Sequence, residues 1–258
     1  MDAVTFVIAE AGVNHNGRLA TAFRLCNAAK AAGADAVKFQ HFNSSALWGD
    51  DRIAHLELRD AEIAVIAKHC ASIGIEFMCT PFGVREVGVI APIVKRIKVA
   101  SGCLERWPLL DAIRETHLPV IMSTGMSDEI RVYAAADALG HADTDVTFLH
   151  CTSAYPCPIG EVNLRAMDRY LPRGGLSDHT QGITVAIAAA ARGANVIEKH
   201  LTLDRTAEGP DHKASIEPRE FKVMVSAIRT VEAALGDGIK RPQASERATM
   251  EAWYGDQR

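Results

Sequence analysis

The side chains of this 258-residue chain that are best suited to chemistry recur in one kind of place, the polar end of a short apolar run. Lys38 and Lys98 sit between apolar residues inside the strand-like runs DAVKFQ and RIKVA. A charge in such a setting must be paired, hydrogen-bonded or neutralised by a ligand. One reading is a pair of structural lysines bonded to carboxylates such as Glu10. Another is an anion site for a phosphate or carboxylate, helped by the hydroxyls of Ser101, Ser123, Thr124 and Ser177. A Schiff-base role is the rival for either amine. His179 and His200 lie 21 residues apart, each at the end of its own run. Two imidazoles brought together in this way suit zinc or a first-row transition ion, with Asp178, Glu198 or Glu10 adding oxygen or supporting hydrogen bonds. The alternatives are two independently hydrogen-bonded histidines, or a general base beside a spectator. His150 and His212 are candidates of the same kind. The polar stretch 203–215 reads either as a lid or substrate loop, or as a loop facing solvent.

The elements that must carry these residues alternate. Apolar runs, most of them rich in β-branched residues, at 5–9, 35–40, 75–79, 96–100, 119–123, 146–151 and 195–200 have the appearance of buried parallel strands, and the short, polar 175–179 joins them because its position fits the rhythm. Amphipathic or Ala-rich stretches at 19–33, 59–74, 109–117, 129–140, 163–171, 184–193 and 218–236 read as helices, many of them preceded by Ser, Thr or Asp in the capping position. Parallel strands need crossover helices, so the rhythm predicts an α/β fold. A (β/α)8 TIM barrel fits the length and spacing better than an open doubly wound sheet. A barrel places its active site at the C-terminal ends of the strands, where the polar residues above are found. Residues 1–236 are expected to form the barrel, and 237–258 to be a polar tail.

Composition removes several classes of function. Lys and Arg number 28 against 32 Asp and Glu, a net charge of −4, and aromatics are 6%. Neither a basic face nor a stacking surface for nucleic acid or an anionic membrane is offered. The six Cys include no C-x-x-C pair, and several sit in apolar runs as small buried hydrophobes in a reducing compartment. The start of the chain lacks the features of a signal peptide, and no run is long enough to span a bilayer, so a cytoplasmic location is expected. No G-x-G-x-x-G, Walker A or G-x-S-x-G motif appears.

Taken together, IAEAGVNHNG (8–17), AGADAVKFQ (32–40), CTPF (79–82), KVASG (98–102), STGM (123–126), LHCTSAYPCP (149–158), LSDHTQG (176–182), IEKHLTLD (197–204) and GPDHKAS (209–215) are recognisable. The chain resembles the sialic acid (N-acetylneuraminate) synthase family, which also makes pseudaminic and legionaminic acids and includes spore-coat polysaccharide proteins. The resemblance implies a barrel that condenses phosphoenolpyruvate with an aldehyde, usually an N-acylmannosamine-like sugar, to give a 2-keto-3-deoxy acid and phosphate. It also implies a divalent metal, manganese first, with magnesium or cobalt as alternatives, held by His179 and His200. The phosphoenolpyruvate shell would be Lys38, Thr80, Lys98, Ser101, Ser123 and Ser177, with Ser153 where relatives often carry Asn. Gln40, Tyr155 and Asp211 would face the sugar, and Glu10 would manage protons.

The chain departs from the family pattern after the fourth strand run. Relatives usually carry Glu there, and this sequence has Cys103, which makes Cys103 a catalytic candidate and the acceptor open. The resemblance further implies a homodimer, or a separate protein supplying the C-terminal antifreeze-like domain of relatives, which has no counterpart in the sequence up to Arg258. Two other classes remain as alternatives: a non-catalytic or partner-dependent phosphoenolpyruvate or sugar-acid binding barrel, and a lysine-dependent aldolase.

Overall fold

The computed structural model describes residues 4–141 and 144–255. Eight strands alternate with helices: β1 Phe6–Gly12, β2 Ala36–His41, β3 Glu76–Pro81, β4 Ile97–Val99, β5 Val120–Ser123, β6 Val146–Cys151, β7 Gly175–Asp178 and β8 Val196–His200. The α-helices are α1 Leu19–Ala31, α2 Ser44–Trp48, α3 Asp60–Ile73, α4 Val84–Ile90, α5 Trp107–Arg114, α6 Glu129–Ala138, α7 Thr184–Ala191, α8 Pro218–Leu235 and α9 Arg247–Tyr254. All strand ladders are parallel, and the order β3-β2-β1-β8-β7-β6-β5-β4 wraps the sheet into a nearly closed (β/α)8 barrel. At the seam, where β3 and β4 share no ladder, Arg96 pairs with Glu76 at 2.8 Å and Arg106 donates to the Phe82 carbonyl at 3.2 Å.

The two-residue period of a strand divides its side chains between two cores. Residues such as Val7, Phe39, Ile97 and Ile197 face outward and pack against Leu25, Ile63, Leu110 and Phe221 of the helices in the main core. The opposite set, Ile8, Ala36, Met78, Ile121, Leu149 and Val196, fills the inside of the barrel with Phe6 beneath it. That inner plug makes the barrel a packed core rather than a pore.

The structure differs from the sequence reading in four places. A helix, α4, follows β3, where Gly83, Gly88 and Pro92 interrupt the apolar period. The 163–171 stretch winds as a 3-10 helix, Leu164–Tyr170. Side-chain capping is rarer than the sequence suggested: among the described residues only Asn43 and Asp128 accept a first-turn N–H at the starts of the α-helices, and the Arg59 backbone N–H donates to the Glu62 carboxylate at 2.9 Å. Finally, the polar tail contains α9, a helix with no buried residue.

Gly175 opens β7 where it crowds β8. A Cβ on Gly175 would lie 1.8 Å from the Val196 carbonyl oxygen, whereas one on Gly160 would meet nothing within 4 Å. Gly175→Ala should therefore cost about 3 kcal/mol or more through overpacking. Gly160→Ala should stay within about 0.5 kcal/mol of wild type. Thermal or urea denaturation of the two variants checks the difference.

Candidate active site

The inner faces of the strands change character within one step of the strand period. Two residues beyond the apolar plug come Glu10, Lys38, Thr80, Ser123, Cys151 and Glu198, with Lys98 on β4 and Ser177 on β7 at the same depth. One further step brings Gly12, Gln40, Ser153, His179 and His200. Six strands are thus apolar at their start and polar at their C-terminal end on the same face, and the polar ends converge with Lys98 of β4 and Ser177 of β7.

Of the residues expected from the sequence, Glu10, Lys38, Gln40, Thr80, Lys98, Ser101, Ser123, Tyr155, Ser177, His179 and His200 line one cavity of about 50 Å³. Ser153 stands beside it, with its hydroxyl 3.7 Å from the Cys151 sulfur. Asp211 approaches the mouth, its Oδ2 3.8 Å from His200 Nδ1. Cys103 does not reach the cavity lining. It is 1% exposed in the main apolar core, and burial pushes its thiol up. Other strand-end residues face away from the barrel interior. His150 bonds the Val162 carbonyl at 2.7 Å, His212 is buried between Thr202 and Asn16, and Lys199 pairs with Asp178.

Two lysines and two carboxylates form the electrostatic centre. Lys38 Nζ lies 2.9 Å from Glu10 Oε2 and 3.5 Å from Glu198 Oε2, and it donates to Thr80 at 3.0 Å. Lys98 Nζ donates to Ser123 at 2.7 Å and to the Val99 carbonyl at 2.9 Å, with Glu198 Oε1 at 3.9 Å. All four side chains are at most 5% exposed, so their charges must be settled among themselves or by a ligand. The two carboxylates are pushed apart. Burial raises Glu10 to about 7, against the pull of Lys38. Burial would raise Glu198 too, but Lys38 and Lys98 outweigh it and hold that carboxyl down at about 2. Burial opposes the charge on both lysines. Glu10 and Glu198 overcome it at Lys38, whereas Lys98 stays below the ordinary lysine range.

The two imidazoles meet at the rim, with ring centroids 5.5 Å apart, and the Tyr155 ring lies 4.1 Å from His179 and 5.7 Å from His200. His179 Nδ1 faces the Thr152 carbonyl at 2.9 Å, which fixes a proton on Nδ1 and leaves Nε2 toward the cavity, Ser177 Oγ being 3.5 Å away. His200 Nδ1 is buried without a hydrogen bond, and burial, His179 and Lys38 together hold the ring neutral. Against the pull of burial, Cys151 and the Thr152 carbonyl raise His179 above the ordinary histidine range, so a divalent cation held by both rings would displace the proton from His179 Nε2, after which each ring offers one lone pair. Among the described residues no group of three or more His, Cys, Asp or Glu gathers as a metal site, so these two would be the protein's share of the coordination.

Two residues of the site carried more weight than the sequence reading gave them. Glu198 touches both lysines and Ser177, the last at 2.8 Å. Cys151, read as a small buried hydrophobe, lines the cavity, with Ser101 Oγ at 3.6 Å and His179 Nδ1 at 3.8 Å. Both lie in phase with neighbours already chosen, two residues before His200 and Ser153, so strict alternation was the signal that could have found them. Burial would raise the Cys151 thiol, but His179, Ser101 and Ser153 outweigh it and lower it.

The model of the NeuB family matches residues 25–240. The N,N'-diacetyllegionaminic acid synthase of Campylobacter jejuni is 38% identical over 95% of this chain and 82% of its own. The N-acetylneuraminate-9-phosphate synthase of Homo sapiens is 34% identical over 95% of this chain and 75% of its own. The crystal structure of the N-acetylneuraminic acid (sialic acid) synthetase of Leptospira borgpetersenii, in complex with citrate, superposes with a TM-score of 0.89 at 34% identity, covering 98% of this chain and 93% of that one.

Cys151 is the one thiol in the cavity lining, and its thiolate is favoured where burial raises those of Cys79 and Cys103. Iodoacetamide under native conditions should therefore alkylate Cys151 ahead of the other five, as read by peptide mass spectrometry. Labelling that begins elsewhere would contradict this arrangement.

Proposed function

The chain belongs to the NeuB family, and from that premise we propose that it condenses phosphoenolpyruvate with an aldehyde, in a divalent-metal-dependent reaction, to give a 2-keto-3-deoxy acid and inorganic phosphate. The observation that carries this reading is the convergence of Lys38, Lys98 and the hydroxyls of Thr80, Ser101, Ser123 and Ser177 with two free imidazoles in one cavity. The substrate's phosphate and carboxylate bring about three negative charges. Lys38 and Lys98 already share Glu198 and Glu10, so the lysines alone leave such an anion undercompensated, and a divalent cation on His179 and His200 completes the balance.

The metal, manganese first with magnesium or cobalt as alternatives, supplies Lewis-acid polarisation of the aldehyde carbonyl when bound. Lys38, Lys98 and the hydroxyls fix the phosphate and carboxylate so that C3 of the enol faces that carbonyl. A bond forms between C3 and the aldehyde carbon, and the aldehyde oxygen takes up a proton. Water adds to the electron-poor C2. The resulting tetrahedral centre collapses to the ketone as the bond between C2 and the bridging oxygen breaks, and phosphate leaves with that oxygen and a proton. Glu10, held near neutrality, is the group able to accept and return protons at working pH. Gln40, whose amide donates to Glu10 at 3.2 Å, together with Tyr155 and Asp211 at the mouth, faces the acceptor. Relatives named for legionaminic acid and N-acetylneuraminate 9-phosphate make an N-acylated sugar aldehyde the first acceptor to try. The six free, buried thiols fit a reducing, cytoplasmic setting. A lysine-based aldolase is the second reading, favoured by the lowered pKa of Lys98.

Incubation with phosphoenolpyruvate, manganese and a panel of aldehydes that includes N-acetylmannosamine and its 6-phosphate should release phosphate, and chelation should stop it. No release with any acceptor sinks the proposal. Borohydride trapping of Lys98 would favour the aldolase instead. Glu10→Gln is expected to lower kcat by roughly 10²- to 10³-fold. It should also remove an ionisation near pH 7 from the kcat/KM profile, because the carboxyl that burial raises to about 7 is gone.

A further inference from the structure

Behind the two imidazoles, on the face of the sheet turned away from the cavity, lies an ion pair that the reaction does not use. Lys199 and Asp178 have side chains 0% and 1% exposed, and Lys199 Nζ is 2.8 Å from Asp178 Oδ2. Asp178 Oδ1 accepts the Thr180 backbone N–H at 2.9 Å and the Thr180 hydroxyl at 2.8 Å, and Lys199 Nζ donates to the Thr180 carbonyl at 2.5 Å. The ammonium is thus tied to the residues on both sides of His179, and it belongs to the residue next to His200.

The place of this pair in the sheet gives it consequence. The ladder between β7 and β8 ends at Asp178 and Lys199, and the ladder between β6 and β7 ends one residue earlier, at Ser177. His200 is still held within the sheet, opposite Glu10 of β1. His179 is past the last rung on both sides. What holds its backbone there is the Cys157 N–H, donated to the His179 carbonyl at 2.9 Å, and the Asp178–Lys199–Thr180 cluster. A buried ion pair of this kind is a poor source of stability, because apolar residues of similar size do as well or better. It is a good source of geometry.

We propose that Lys199 and Asp178 are positioning residues that set the separation of His179 from His200, and so the divalent-cation affinity of the site. The inference rests on the reading of these histidines as metal ligands given above. The carboxylate and ammonium never touch the ion. They act by fixing the backbone from which one imidazole is presented to the other, as residues behind a metal ligand commonly do.

The test is uptake of manganese alone, followed by the loss of the free-ion signal in electron paramagnetic resonance. The double variant Lys199→Met/Asp178→Asn removes the charge tie between the strands and leaves an amide to cap Thr180. It should unfold within about 3 °C of wild type. It should bind phosphoenolpyruvate in the absence of metal as wild type does, yet take up manganese about tenfold or more less tightly. Thr180→Val removes only a hydroxyl donor from Asp178 and should fold whatever becomes of the double variant. Its manganese affinity should fall by roughly threefold, a smaller part of the same supporting-shell effect. Variants that take up manganese as tightly as wild type overturn the positioning role while leaving the metal site standing. A wild-type chain that binds phosphoenolpyruvate but no manganese overturns the metal reading itself, and the positioning role with it.

Discussion

Burying charge at the mouth of the barrel is the constraint on which the rest of this structure depends. Lys38, Lys98, Glu10 and Glu198 all project into a cavity closed below by Ile8, Ala36, Met78 and Leu149, where water cannot screen them. Unpaired, each would cost several kcal/mol. Arranged as they are, Glu198 draws on both cations while Glu10 is left with Lys38 and a raised pKa. Two chemically identical groups are thereby held at different pKa values within one site.

The barrel supplies what such an arrangement needs. Parallel strands fix backbone positions through their ladders, and the period of two sends alternate side chains inward at fixed depth. The lysines therefore come from β2 and β4, the carboxylates from β1 and β8, and the hydroxyls from β3, β5 and β7 and the turn after β4. No two of these need be close in sequence. Loops contribute mainly at the rim, where Tyr155 stacks on His179 and Asp211 approaches His200. The stretch 203–215, read in sequence as a lid or substrate loop or a solvent loop, is stapled to the β1–α1 loop, with Asp204, Thr206, Glu208, Gly209, Pro210 and Lys213 exposed. His212 reaches Thr202 and Asn16, and Asn14 donates to the Leu201 carbonyl and to Ser215.

Much of this was legible in advance because a buried strand and a strand-end polar residue are both local signals. Most of the strands lie where β-branched runs lie, and Lys38 and Lys98 stood out because each is flanked on both sides by apolar residues. The misses share a cause too. The helix after β3 is broken up by Gly and Pro, so its apolar period is faint, and its buried face is defined only by the sheet against which it packs. Cys151 reads as a hydrophobe by type, and only its inward phase makes it part of the site. Cys103 is a neighbour of the site in sequence but not in space, because the turn after β4 rotates it into the core.

The sequence by itself determined the alternating fold and the polar strand ends, which follow from side-chain type and from the strand and helix periods, while the resemblance of its motifs implied the family. Closure of the barrel decided which residues meet. The sharing of Glu198 between two lysines, the upward push on Glu10, the 5.5 Å approach of His179 to His200 and the Lys199–Asp178 tie behind them all join residues from different strands. Such distances and the desolvation that accompanies them exist only once the strands are side by side, because electrostatic energy depends on separation and burial and a linear chain specifies neither.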